Sequence, residues 1–152
     1  MRLLELEREL HRRDAEKRFP VFLDYTSPAY TRKWFHTLIA QKCQDLLQGT
    51  LPTSKLMIFV PPQHGKSEIV SRKFPAWALG QNPLLKIVGT SYSADLAQQF
   101  SRAIQRTIDS TEYGEVFPNT FLNNQRVKSD THRGWLRNID MFETVGFGGF
   151  YK

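Results

Sequence analysis

Apolar and polar positions alternate with distinct periods along the chain, and the periods predict a run of helices with two short strands among them. In residues 2 to 18, Leu3, Leu6 and Leu10 fall on one side of a segment otherwise rich in acids and bases, the spacing of a charged amphipathic helix that serves either as a solvated arm or as a docking helix. The stretch FPVFLDYTSP, residues 19 to 28, reads as an extended lead-in. A second helix follows, with Ser27 as N-cap, Pro28 at the first helical position and Gly49 past the end. Its apolar residues Trp34, Phe35, Leu38, Ile39, Cys43, Leu46 and Leu47 recur at three and four, which is one buried face. Leu56 to Val60 is a continuous apolar run closed by Pro61 and Pro62, as in a strand covered on both faces. A helix is expected from Lys66 to about Leu79, with Pro75 as a kink or early end and Gly80 as the stop. Lys86 to Ser91 is a second buried-strand candidate. Ser93 and Asp95 then open a helix that carries Leu96, Phe100, Ile104 and Ile108. Strand, helix, strand, helix predicts an α/β fold with a parallel sheet. After Pro118 the pattern weakens into strands and loops, with Met141 to Val145 as a strand candidate before GFGG.

Composition narrows the function classes. A chain of 152 residues is long enough for one core. Its 21 Lys and Arg against 15 Asp and Glu give a net charge of +6, which favours polyanionic partners without the extreme charge of a nucleic-acid tail. The one cysteine, Cys43, falls on the apolar helix face and is expected in the core. His11, His36, His64 and His132 stand too far apart to suggest a zinc site. The first residues mix charges with leucines, so neither a signal peptide nor a membrane span is expected, and a cytoplasmic location is.

The segment VPPQHGKS, Val60 to Ser67, lies where a phosphate-binding loop must lie, between a predicted strand and a predicted helix. A triphosphate needs several inward backbone N–H groups and a positive helix end, which Gly65 and the following helix can supply. Lys66 would reach the β and γ phosphates, and the Ser67 hydroxyl would serve Mg²⁺, as in the GxxxxGK[ST] Walker A pattern. Val60 replaces the first glycine of that pattern. The bland alternative is that Lys66 and Ser67 merely start a helix. The nucleotide-binding set is thus Pro62, Gln63, His64, Gly65, Lys66, Ser67 and Glu68.

From about Tyr30 to Gly149 the chain resembles the N-terminal ATPase region of the large terminase subunits of tailed phages and prophages. The residues that carry the resemblance are PPQHGKSE at 61 to 68, SRKFPAWALGQNP at 71 to 83, TSYSADLAQQFSR at 90 to 102, EYGEVFP at 112 to 118 and VGFGG at 145 to 149. The resemblance implies a P-loop NTPase of RecA-like type, with a parallel sheet and flanking helices, that binds ATP and Mg²⁺. It further implies that Tyr30, Arg32 and His36 lie on the adenine side, and that the whole protein pumps double-stranded DNA, with a small terminase subunit, a portal and procapsid and a homo-oligomeric ring as partners. Residues 1–26 would then be a helical arm and lead-in, and 27–152 the first part of the ATPase domain. The acids that follow in the family, and its nuclease domain, are not found among these residues, so no catalytic residue is identified. Gln63 stands where relatives often carry arginine, so the resemblance implies a charge-stabilising arginine from outside the loop.

Three readings stay open at this stage. Thr90, Ser91 and Tyr92, with Ser93, form either a loop that couples nucleotide state to DNA or simply a strand end and helix cap. Arg126, Lys128, Arg133 and Arg137, with Trp135, form either a DNA contact or a solvated basic loop. The parent function is a packaging ATPase, a helicase-like P-loop ATPase, or a module that binds nucleotide or DNA without hydrolysis.

Overall fold

A computed structural model describes residues 2–123 and 135–152, leaving aside the side chain of residue 2. The chain divides into two compact units, Met1–Phe74 and Pro75–Lys152.

The first unit is helical. Helix α1 spans Arg2–Lys17, α2 Phe19–Thr26 and α3 Trp34–Leu47. The lead-in expected to be extended is therefore α2. Pro20 sits in its first turn, where a missing N–H costs nothing, and Phe19, Phe22 and Leu23 turn inward together. Gln44 Oε1 accepts the Phe19 N–H at 2.8 Å, satisfying one of the donors that a helix start leaves open. Helix α3 begins at Trp34 instead of Pro28, because residues 27–33 form a turn and an extended link. Its buried face is His36, Ile39, Ala40, Cys43 and Gln44, while Trp34 and Leu38 are exposed. The expected face was thus rotated by about one residue and is partly polar. Leu3, Leu6 and Leu10 are exposed on α1.

Residues 51–54 bend, 55–60 carry no regular secondary structure, and Leu56 to Val60 pair with no strand among the described residues. Met57 and Phe59 are 77% and 83% exposed while Leu56, Ile58 and Val60 are half-buried, so the run expected to be covered on both faces has one face open. Helical backbone begins at Lys66, as expected, but Glu68–Lys73 is wound as a π-helix. The Phe74 N–H donates five residues back, to Ile69 O. Helix α4 follows over Phe74–Gln81, with Pro75 in its first turn. Pro75 cannot donate, so a change of winding just before it avoids a broken α ladder.

The second unit is mixed α/β. Strand β1 is Lys86–Ile87, followed by α5 (Ala94–Ile108), α6 (Thr111–Val116), β2 (Phe142–Glu143) and β3 (Phe150–Tyr151). The sheet order is β1-β3-β2. β1 pairs parallel with β3 through Lys86 and Phe150, and β2 pairs antiparallel through Phe142 and Tyr151. The sheet is therefore small and mixed, not the parallel sheet expected, because β2 returns through a tight turn at residues 145–147 directly beside β3. Thr144 Oγ1, fully buried, donates to Pro83 O at 2.6 Å and ties that turn to the end of α4. Ser93 caps α5 by accepting the Leu96 N–H at 3.3 Å, and Ile104 and Ile108 are buried, both as expected. Gly80 does not stop its helix; it lies inside α4, where a Cβ would overlap the Phe117 ring. Trp77, Leu79, Tyr113 and Phe142 are fully buried, and Tyr113 Oη donates to Ala76 O at 3.0 Å.

Candidate functional site

The loop after Val60 bends because two of its residues adopt left-handed backbone, Gln63 at φ 63° and Gly65 at φ 71°. Left-handed residues interleaved in a short loop turn successive N–H groups toward a common concavity, which suits an anion. Glycine takes this conformation without strain, whereas Gln63 does so at a cost. His64 supports the bend by donating from Nδ1 to Pro62 O at 2.7 Å. Gly65 has a second constraint: a Cβ would overlap the Tyr30 hydroxyl and come within 3.1 Å of His36 Nε2.

Residues 60–68 and Arg72 line one open cleft of about 450 Å³, within the range of small-molecule sites. Every residue of the expected nucleotide-binding set, Pro62 through Glu68, lies on it. Lys66 and Ser67 are exposed, and neither side chain has an ion-pair or hydrogen-bond partner among the described residues. Glu68 is paired with Arg72, its Oε2 accepting from Nη1 at 2.8 Å. Arg72 was not anticipated from the sequence. It stands four residues after Glu68 and brings a guanidinium to the cleft, with its Nε buried and unpartnered. The signal available was the SRK at 71–73, one turn beyond the motif.

The residues expected on the adenine side separate. Tyr30 and His36 pack on the loop itself, His36 Nε2 lying 3.0 Å from His64 O. Arg32 is engaged with α2, where it donates to Pro20 O and, at 2.6 Å, to Asp24 Oδ2. Thr90, Ser91 and Tyr92 form the exposed link between β1 and α5, and Tyr92 is 93% exposed. Arg137 is held internally, by Gln105 Oε1 and Asn123 O at 3.1 and 2.9 Å and by the Asp109 carboxylate. Arg126, Lys128 and Arg133 lie outside the described residues. Cys43 is buried in α3, and burial pushes its thiol up to about 12. No helix among the described residues is long and apolar enough to cross a membrane.

The loop thus turns through two left-handed residues directly ahead of a helix. Residues 57–140, more than half of the chain, match the family described as terminase large subunit, T4likevirus-type, N-terminal, and the chain belongs to that family. Comparison with curated proteins and with solved structures finds no match.

Proposed function

We propose that the chain is the nucleotide-gripping part of a phage DNA-packaging motor, built as a RecA-like P-loop ATPase, in which residues 62–68 hold the phosphates of ATP. The observation that carries this reading is the loop itself. Gln63 and Gly65 are left-handed ahead of a helix, and Lys66 and Ser67 follow with side chains that no other described group engages. A bare ammonium and a bare hydroxyl at a helix start are what a triphosphate and its Mg²⁺ require. The residues fit the group: the cleft is of suitable size, and the amine and hydroxyl are of the right chemistry. Bound Mg-ATP would supply the free energy of phosphoanhydride hydrolysis. Lys66 would neutralise the phosphates, Ser67 would offer its hydroxyl to the metal, and Arg72 stands near enough along the helix to add positive charge where Gln63 cannot.

Membership of the terminase large-subunit family supports double-stranded DNA as the transported partner, with a small subunit, a portal and a ring of copies around it. Titration calorimetry with Mg-ATP tests the reading. Wild type should bind, and Lys66→Ala should lose binding by more than tenfold, about 1.4 kcal/mol or more. Equal affinities for the two proteins would remove Lys66, and the loop with it, from the proposal.

A further inference from the structure

We infer that His36 is a positioning residue for the phosphate loop, a neutral imidazole fixed in one tautomer by the start of α3 and donating to the peptide that precedes Gly65. The inference rests on reading that loop as the nucleotide site. The Lys33 backbone N–H donates to His36 Nδ1 at 3.0 Å. A ring nitrogen that accepts carries no proton, so in the neutral ring the proton is on Nε2. Nε2 lies 3.0 Å from His64 O, and a carbonyl oxygen can only accept, so the second bond demands the same tautomer as the first. The Tyr30 hydroxyl oxygen, 3.3 Å from Nε2, takes a weaker share of that N–H.

The ring has little freedom to do otherwise. It is 6% exposed, with Phe35 at 4.1 Å and Tyr30 at 5.3 Å between ring centroids. One side chain therefore joins two jobs: it satisfies an open N–H at the start of α3, and it pins the His64 carbonyl while Gly65 turns at φ 71° beneath it. Lys66 follows one residue later, so the direction in which the loop presents its N–H groups and its lysine depends on this bond. His36 acts through the loop and touches no phosphate.

Two substitutions separate the bonds. The short amide of His36→Asn can place its Oδ1 where Nδ1 was and accept from Lys33, but it does not reach His64. The longer amide of His36→Gln can place its NH₂ where Nε2–H was and donate to His64 O, but it abandons Lys33. Mg-ATP calorimetry and urea unfolding are measured on wild type, His36→Ala, His36→Asn, His36→Gln and Lys66→Ala. His36→Ala should weaken binding about five- to tenfold, the worth of one net hydrogen bond in a preorganised loop. His36→Gln should recover most of that affinity and His36→Asn should not, although both unfold at lower urea than wild type. If affinity instead tracks stability across the variants, or if His36→Asn binds like wild type while Lys66→Ala does not, the positioning role is wrong and the nucleotide reading survives. If wild type binds no Mg-ATP, both fall together. Nitrogen NMR of the imidazole that finds the proton on Nδ1 in the neutral ring would overturn the tautomer whatever the binding data say.

Discussion

At Gly65 the backbone sits at φ 71°, and a methyl group would overlap the Tyr30 hydroxyl, so Gly65→Ala combines two penalties. The left-handed conformation alone costs about 1–2 kcal/mol for a residue with a Cβ, and the overlap adds to it. Thermal unfolding should show both, and adding Tyr30→Phe should recover the part due to overlap while leaving the backbone part. Cys43 makes a different prediction. Burial raises its thiol from 9.0 to about 12, so the folded state favours the protonated form. Its contribution is complete below pH 9, and falls as pH rises from there toward about 12, because the unfolded chain releases the proton first. The stability difference between wild type and Cys43→Ala should therefore shrink above pH 9 in urea titrations. The native thiol should also resist alkylation at pH 8. Of these residue-scale facts, the sequence showed that Cys43 would be buried, and it marked Gly65 only as the place where a phosphate would approach the backbone. It could not show that the group approaching from the protein side is Tyr30.

Among the elements, α5 was the most legible, because its cap and its apolar spacing agree. Ser93 accepts the Leu96 N–H, so Ser93→Ala should lower stability by about 1 kcal/mol, and Ser93→Asp should preserve it. That contrast, measured by urea unfolding, also bears on the exposed link before it. If Ser93→Asp is as stable as wild type yet alters nucleotide or DNA binding, the segment has a role beyond capping. The element read least well was α2. FPVFLDYTSP carries two prolines and aromatic residues that suit an extended chain, yet Pro20 falls in the first turn and three apolar side chains share one face. Propensity was overruled by packing. On α1 the exposed leucines are accompanied by surface ion pairs from Glu9 to Arg12 and Arg13 at 2.8 and 2.7 Å, which contribute little to stability.

For the whole molecule, the net charge of +6 and the family to which the chain belongs predict DNA binding without base preference. The logarithm of the binding constant should fall linearly with the logarithm of salt concentration, by about 0.9 for each phosphate neutralised. Fluorescence anisotropy on duplexes of unrelated sequence checks this. One tight, salt-insensitive duplex among them would contradict it. Arg137 should contribute little, since its guanidinium is already held by Asp109, Gln105 and Asn123.

By itself the sequence determined the helical stretches whose spacing and caps coincide, the small strand at Phe142, the burial of Cys43 and the grouping of residues 62–68 along one cleft, because these depend on neighbours within a few positions along the chain. Only the tertiary structure decided what needs partners far apart in sequence. Leu56 to Val60 is apolar enough for a buried strand, but a strand exists only where another strand offers hydrogen bonds, and none does among the described residues. β2 lies antiparallel because of the turn that returns the chain beside β3. His36, Tyr30 and Gly65 meet across some thirty residues of chain, and no periodicity records that encounter: a hydrogen bond between distant residues leaves no spacing for a sequence to display.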